Sequence, residues 1–384
     1  MQSQKKNLNL GCEDLLPQVE KRWQSALEFF KKKQHVVFIS DRYHFWDEPG
    51  FVQQSLANTL VEHGIRVTWF DGLASKAHQP HIPRSHSLLE VRNLKMLRGR
   101  RLPLMDFLNA KVQFNQIQKS IKGSEPLIWV QGSLDNRICN QLPSIDVFSV
   151  FDDPYLHQPG DELTQKVKLI LNQNAFGDDL FRSQYPQKCQ LALPPVELNE
   201  NIFFSQSPRK ILPDHFPTKI MGYLGACFSE GFDFDLLEKF IKALPDWGFL
   251  IVGRTDDSGR AHLKKFERYP NFVYRSWIPR EKLASIWQLL DVNLMLYKAC
   301  PSNSGAYPVK FLDSLYFGVP SVATRVPKTS SLEGIIPLSS SFEELMYYAK
   351  GEAHLRKDQS RVFQSLFYEM HPKVHLAKVA EALG

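Results

Sequence analysis

Short apolar runs alternate with amphipathic helical stretches along most of this chain, and the alternation restarts once. A helix over Glu13–Lys33 ends in three lysines and is followed by His35–Ser40 (HVVFIS), an apolar run of strand length. A polar loop comes next, then a helical stretch from about Phe51 to His63. Gly64 stops it, and Ile65–Phe70 (IRVTWF) is a second strand. Strand, helix, strand in so few residues predicts a parallel pair joined by a right-handed crossover. Asp71–Arg101 reads as irregular and basic. A helix near Asp106–Ser120 leads to Leu127–Gln131 (LIWVQ), and Asp146–Phe151, Lys168–Asn172 and Cys189–Ala192 extend the series. Strands that alternate with helices and carry apolar residues on both faces belong to an open, doubly wound α/β sheet.

Leu193–Thr218 breaks the pattern. It lacks periodicity and carries Pro194, Pro195, Pro208, Pro213 and Pro217, which reads as an interdomain linker. A second series follows, with strands at Lys219–Tyr223, Phe249–Val252, Phe272–Tyr274, Val292–Leu296 and Ser321–Ala323. Its helices fall at Phe234–Ala243, Arg260–Glu267, Arg280–Leu290, Val309–Phe317 and Ser341–Ala349. Two helices, about His354–Glu369 and Val374–Leu383, close the chain with no strand after them. At 384 residues the chain exceeds most single cores. We expect domains over residues 1–205 and 206–370, with 371–384 as a final helix.

Hydrophobic content of 43% and charged content of 23% are those of an ordinary globular protein. A net charge of +6 suits an anionic ligand or an anionic membrane surface without choosing between them. Cys12, Cys139, Cys189, Cys227 and Cys300 are scattered and show no metal-ligand spacing, which favours reduced thiols. The N-terminus has no apolar core of a signal peptide, and no apolar run is long enough to span a bilayer. The expectation is a cytoplasmic protein or a peripheral visitor to the inner membrane face.

Tyr307–Thr324 (YPVKFLDSLYFGVPSVAT) is the most informative local stretch. Pro308 suits a first helical turn. Lys310 and Asp313 lie three apart and share a helical face, while Phe311, Leu315 and Tyr316 are spaced to bury another. Gly318 closes the helix, Pro320 follows, and a short buried strand begins. The start of such a helix attracts phosphate through its free N–H groups and dipole. A lysine and a carboxylate there can grip a sugar nucleotide, ammonium to pyrophosphate and carboxylate to ribose. The plain alternative is an amphipathic helix with a surface Lys and Asp.

Pro308, Lys310, Asp313, Gly318, Pro320 and Thr324 fill the places of a donor-binding signature, and the segment resembles that of GT-B glycosyltransferases. Upstream, Lys219–Gly225 (KIMGYLG) resembles the strand and glycine turn that open the donor domain of this superfamily. Leu193–Phe203 (LPPVELNENIF) resembles the segment closing its first domain. The resemblance implies two Rossmann-like doubly wound domains facing a cleft, with the C-terminal helix crossing back to the N-terminal domain. It implies transfer of a sugar from a nucleotide diphosphate sugar, a UDP-sugar first, onto a glycan or lipid-linked glycan, with no cofactor and no metal. Retaining family-4 members carry a pair of glutamates; here Asp313 stands at the second place and Gly305 at the first. That departure favours an inverting relative, closer to the xanthan-type glucuronosyltransferases and the teichuronic-acid-type glycosyltransferases.

Ligands of open α/β sheets sit beyond the carboxyl ends of the strands, which selects the donor residues. They are Gly225 after the first strand of the second series, Arg254 after the second, and Trp277 and Ile278 after the third. Tyr297 and the loop Ser302, Asn303, Ser304, Gly305 follow the fourth, and Lys310 and Asp313 complete the set. Arg254 reads equally as a surface residue, and Trp277 either stacks on a base or packs.

An inverting transfer needs a general base for the acceptor hydroxyl. Asp152 and Asp153, leaving the strand before Pro154, are the first candidates, undecided between them; an Asp-Pro turn is the plain reading. Asp41 and His44 in the loop after His35–Ser40 are the second. His78, His81 and His86 lack a zinc pattern, and Asp178-Asp179 and Asp256-Asp257 resemble a metal-binding DxD only superficially. Arg92–Arg101 bears five cations with apolar residues between them and can rest on anionic lipid, or stand as a solvated basic loop. No nucleic-acid-binding module is recognisable. Rival readings are a sugar-nucleotide epimerase or glycosyl phosphorylase on the same fold, and a catalytically inactive nucleotide-sugar-binding protein.

Overall fold

A computed structural model of the chain describes residues 15–40, 52–71, 87–94, 103–131, 139, 141–150, 165–173, 181–195, 208–276, 278, 280–303, 308–351, 362 and 366–384. Its contacts divide the chain into an N-terminal unit, Leu15–Glu197 with Tyr368–Gly384, and a C-terminal unit from Leu198 to Phe367.

The N-terminal unit holds a seven-stranded sheet. Its strands are β1 (His35–Ser40), β2 (Arg66–Asp71), β3 (Leu89–Asn93), β4 (Leu127–Gln131), β5 (Ile145–Val150), β6 (Val167–Asn172) and β7 (Cys189–Leu191). All pairs are parallel, in the order β3-β2-β1-β4-β5-β6-β7. The winding direction therefore reverses between β1 and β4. Alternate residues of a strand face opposite sides. Val36, Phe38, Trp69, Leu127, Trp129 and Val147 accordingly share one core with α1 (Leu16–Lys33), α2 (Val52–Glu62) and the last helix of the chain. Val37, Ile39, Phe70, Ile128, Val130 and Phe148 share the other with α3 (Pro103–Ile121). Burying an aliphatic or aromatic side chain of this size contributes about 1.5–3 kcal/mol.

β3 corrects the reading of Asp71–Arg101 as wholly irregular. Its sequence, LEVRN, is too charged to announce a buried strand, but β3 lies at the sheet edge and only one side needs to be apolar. There Glu90 pairs with Arg92 at 2.6 Å. Within the proline-rich stretch, Leu212 and Phe216 are core residues of the C-terminal unit, and a Cβ on Gly248 would lie 2.3 Å from the Phe216 ring.

The C-terminal unit holds β8 (Lys219–Leu224), β9 (Trp247–Val252), β10 (Phe272–Arg275), β11 (Val292–Met295), β12 (Ser321–Thr324) and β13 (Leu338–Ser339). Their order is β10-β9-β8-β11-β12-β13, parallel throughout, with the reversal between β8 and β11. The helices are α4 (Phe234–Ala243), α5 (Asp257–Phe266), α6 (Arg280–Trp287), α7 (Val309–Tyr316) and α8 (Phe342–Lys350).

The final helix, α9 (Pro372–Leu383), returns to the N-terminal unit. Val19, Trp23, Ala26, Leu27 and Phe30 form the apolar stripe of α1, and Leu376, Ala377, Val379 and Ala380 join their core from α9. Arg22 clamps Glu381 through two bonds of 2.8 and 2.7 Å, and Lys373 pairs with Glu20.

Two buried histidines, His35 and His375, and the half-buried His371 stay neutral in this unit. Burial lowers His35 to about 4, His371 to about 4 and His375 to about 3. His375 is fully buried, stacked on Trp129 at 6.2 Å, with Nδ1 3.3 Å from the Leu193 carbonyl. A folded-state value below the unfolded one means that the unfolded chain takes up the proton first. Stability is complete above pH 6.5 and is lost as the pH falls from there toward 3. Each pH unit in that window costs about 1.4 kcal/mol for one such group. His375→Leu should therefore shrink the loss of unfolding free energy between pH 6.5 and 5 by about 2 kcal/mol, read by urea titration at both pH values. An unchanged loss would refute that account of His375.

Candidate functional site

The loops beyond the carboxyl ends of β8, β9, β11 and β12 meet around two glycines. Gly225 donates its N–H to the Val252 carbonyl at 2.8 Å, and Cys227 donates to Arg254 at 2.9 Å, so the chain keeps its partner past the end of the sheet. Gly253 has φ 151°, and a Cβ there would lie 1.9 Å from the Gly225 carbonyl oxygen. No side chain fits, so the two backbones touch. A Cβ on Gly225 would in turn lie 2.9 Å from the Tyr223 hydroxyl and 3.2 Å from Lys310 Cε. The lysine stem thus lies along bare backbone, and its ammonium donates to Asp313 Oδ2 at 3.0 Å. Gly225 is thus a neighbour of Lys310 and Asp313, although it is far from them in sequence.

Asp256 fastens this turn from below. Its carboxylate accepts from Gly259 N at 2.9 Å, capping α5, and from the N–H and hydroxyl of Ser229. The Ser229 hydroxyl is the main cause that holds Asp256 below the usual carboxylate range. Asp256 is thus a cap and a brace. Thr255 adds a bond from Oγ1 to the Cys227 carbonyl at 2.7 Å.

On the other side of the turn, Tyr297 is 6% exposed, and its N–H donates to Thr324 Oγ1 at 2.8 Å. Burial pushes its phenol to about 12 and Tyr223 well above the ordinary value, so both stay neutral. Lys328 lies over the Tyr297 ring at 5.0 Å and donates to Asn303 Oδ1 at 3.3 Å. The buried Asn303 amide donates to the carbonyls of Gly231 and Lys298 at 2.8 and 2.9 Å. Lys298 donates to the Ser229 carbonyl at 3.1 Å. Three lysines, Lys298 on the loop after β11, Lys310 in the first turn of α7 and Lys328 in a short 3-10 helix after β12, thus stand at one edge of the sheet, beside the switch between β8 and β11 where open α/β sheets take ligands. Such an edge can hold a polyanion by backbone approach and by charge.

Of the other residues chosen from sequence, Arg254 is exposed beyond β9, and Ile278 is half-buried against the core cluster of Leu250, Val252 and Trp287. Ser302 falls in a single turn of 3-10 helix, Pro301–Asn303. Trp277, Ser304 and Gly305 lie outside the described residues, as do Asp41, His44, Asp152 and Asp153. The histidine cluster, Asp178-Asp179 and most of the basic stretch Arg92–Arg101 do so as well. Lys298 and Lys328 were missed, although the strand-end rule that selected Tyr297 reaches both. Among the described residues, no three of His, Cys, Asp and Glu gather in a metal-binding arrangement. No helix there is long and apolar enough to cross a membrane.

Two parallel doubly wound sheets, with the last helix returned to the first unit, define a GT-B fold. Anabaena HepE, solved in complex with UDP and glucose, aligns at a TM-score of 0.67 with 11% identity, over 91% of this chain and 99% of that one. Sucrose-phosphate synthase from Thermosynechococcus elongatus aligns at 0.59 with 15% identity, over 91% and 94%. These likenesses establish the architecture. In sequence, 114 residues, 30% of this chain, are 28% identical to the Bacillus subtilis (strain 168) protein named "Putative teichuronic acid biosynthesis glycosyltransferase TuaH". The match spans 28% of that relative's length. No family model matches the chain.

Proposed function

We propose that this protein is a glycosyltransferase that moves a sugar from a UDP-sugar to a hydroxyl of a glycan or lipid-linked glycan. The contact of Gly225, Gly253 and Lys310 carries the reading: it joins bare backbone and a cation at the switch of a fold that HepE, in complexes with UDP and UDP-glucose, shares. In this reading Lys310 holds the diphosphate, helped by Lys298 and Lys328, and Asp313 holds the ribose hydroxyls. The acceptor oxygen bonds to the anomeric carbon as the bond to the diphosphate breaks. Asp152 or Asp153 takes the hydroxyl proton, and UDP leaves with inverted configuration at the sugar. Charge on the leaving diphosphate is met by the lysines, a term that preorganised cations supply without solvent rearrangement. No metal enters the scheme, and the protein works in the cytoplasm or at the inner membrane face.

The test is a thermal-shift panel of UDP, GDP, ADP and TDP in the presence of EDTA. A ligand at a hundred times its dissociation constant stabilises the folded state by about 2.7 kcal/mol. UDP should raise the melting temperature by a few degrees, and the others by less. Silence from all four nucleotides would sink the reading. Release of UDP from a UDP-sugar only when a glycan acceptor is added would separate transfer from epimerase chemistry.

A further inference from the structure

A line of polar side chains runs through the core beneath the helix of Lys310. Asn293 of β11 and Ser321 of β12 are register partners, and Ser314 lies in α7, the helix that precedes β12. All three are fully buried. The Asn293 amide nitrogen donates to Ser321 Oγ at 2.9 Å. Ser321 Oγ and Ser314 Oγ lie 2.6 Å apart, and Ser314 donates to the Phe311 carbonyl at 2.7 Å. A hydroxyl has one proton to give. With that of Ser314 on Phe311, Ser321 is the donor to Ser314, and the chain runs one way, from β11 through β12 into α7. The Asn293 amide oxygen has no hydrogen-bond partner.

Buried amides and hydroxyls cost desolvation, and small apolar residues at these places would serve folding as well. Directional bonds add position: a connected polar chain selects one arrangement of a core among several that pack equally. The helix α7 needs such a constraint. It is 8 residues long, and Pro308 at its start makes no side-chain capping bond. A helix this short takes its place from packing against its neighbours. Its first turn carries Lys310, whose Cε would lie 3.2 Å from a Cβ on Gly225, so the lysine stem has little room to shift. The polar chain ends on the carbonyl of Phe311, the residue after Lys310. We infer that Asn293, Ser321 and Ser314 are positioning residues for donor binding. They fix where α7 stands along β12, and so hold Lys310 Nζ and its partner Asp313 at the turn of Gly225. The inference rests on the reading that Lys310 holds the diphosphate. None of the three touches the ligand; they act through the helix. A misplacement of about 1 Å in a positioned group can cost a hundredfold.

The experiment uses the full chain, with Ser314→Ala and Ser321→Ala as separate variants, each made alone and together with Lys310→Ala. UDP affinity is measured by titration calorimetry below the melting temperature of every variant. Each serine variant should bind UDP about five- to tenfold more weakly than the wild type. In the Lys310→Ala background the same change should cost less than about twofold, because the group it places has gone. A serine that serves stability alone would lower the melting temperature and leave the affinity of the folded protein unchanged. Affinity within about twofold of the wild type in either folded variant, or an equal loss with and without Lys310, would overturn the inference. Should Ser314→Ala fail to fold, Ser321→Ala decides alone. The wild type and Lys310→Ala test the donor reading on the same samples. A wild type that binds no UDP, or a Lys310→Ala that binds it as tightly as the wild type, strikes that reading and this inference together. UDP binding that needs Lys310 and ignores both serines strikes only the inference.

Discussion

Lys310→Ala should weaken UDP binding about 10–100-fold while leaving the melting temperature of the free protein almost unchanged. The two halves of that expectation have different causes. A hydrogen bond to a charged group contributes about 1.5–3 kcal/mol, and each 1.4 kcal/mol is a factor of ten in affinity. The Lys310 stem lies against Gly225, so its ammonium has backbone beside it and a short reach to any anion on the turn. The free protein loses only the pair with Asp313. Their side chains are 37% and 28% exposed, and an ion pair three residues apart on a helix at that exposure contributes about 0.2–0.5 kcal/mol. Removing the cation also leaves the Asp313 carboxylate without its ion-pair partner Lys310, so an approaching anion meets an uncompensated negative charge. Lys310→Met, which keeps the stem, should match Lys310→Ala if charge is what matters. Titration calorimetry with UDP at fixed ionic strength measures both. An affinity within twofold of the wild type would remove Lys310 from the site.

Gly253→Ala should destabilise the C-terminal unit by about 3–5 kcal/mol, the range reserved for single changes that force a structural clash or strain. The added Cβ meets backbone, the carbonyl of Gly225 at 1.9 Å, and no side-chain rotation can relieve it. Relief requires the β8 turn to move away, which breaks the bond from Gly225 to Val252 and carries Gly225 off Lys310. Donor binding should vanish even at temperatures where the fold persists. Gly334→Ala separates clash from backbone strain. Gly334 has φ 75° and nothing within 4 Å of a new Cβ, so it isolates the left-handed penalty of about 1–2 kcal/mol. Urea unfolding of the two variants should differ clearly. Equal costs would mean that the Gly225–Gly253 contact is not the constraint it is taken for.

Much of the secondary structure was legible because parallel strands buried on both faces are short apolar runs between turn signals. HVVFIS, LIWVQ and SVAT fall at β1, β4 and β12 for that reason. The helix of Lys310 was legible through its spacing and its Gly-x-Pro stop. β3 was not, because an edge strand carries charge on its open side and its Glu90 and Arg92 read as loop. β13, two residues long, is too short to show a period. Leu212 and Phe216 were hidden among prolines, which erase periodicity without preventing burial. Gly253 looked like any strand-end glycine, and Ser314 and Ser321 like incidental small residues of a helix and a strand.

The sequence by itself determined the two alternating series, the helix that carries Lys310 and Asp313, and the choice of strand ends as the place for a ligand. Those features are local: they follow from apolar spacing, from glycine and proline positions and from the dipole of one helix. Only the tertiary structure decided the strand order and hence the two switch points, the contact of Gly253 with Gly225, the alignment of Ser321 with Asn293 and the burial of His375 against Trp129. Each depends on the register of strands distant in the chain, which is set by how whole faces pack and is not written in any one run of residues.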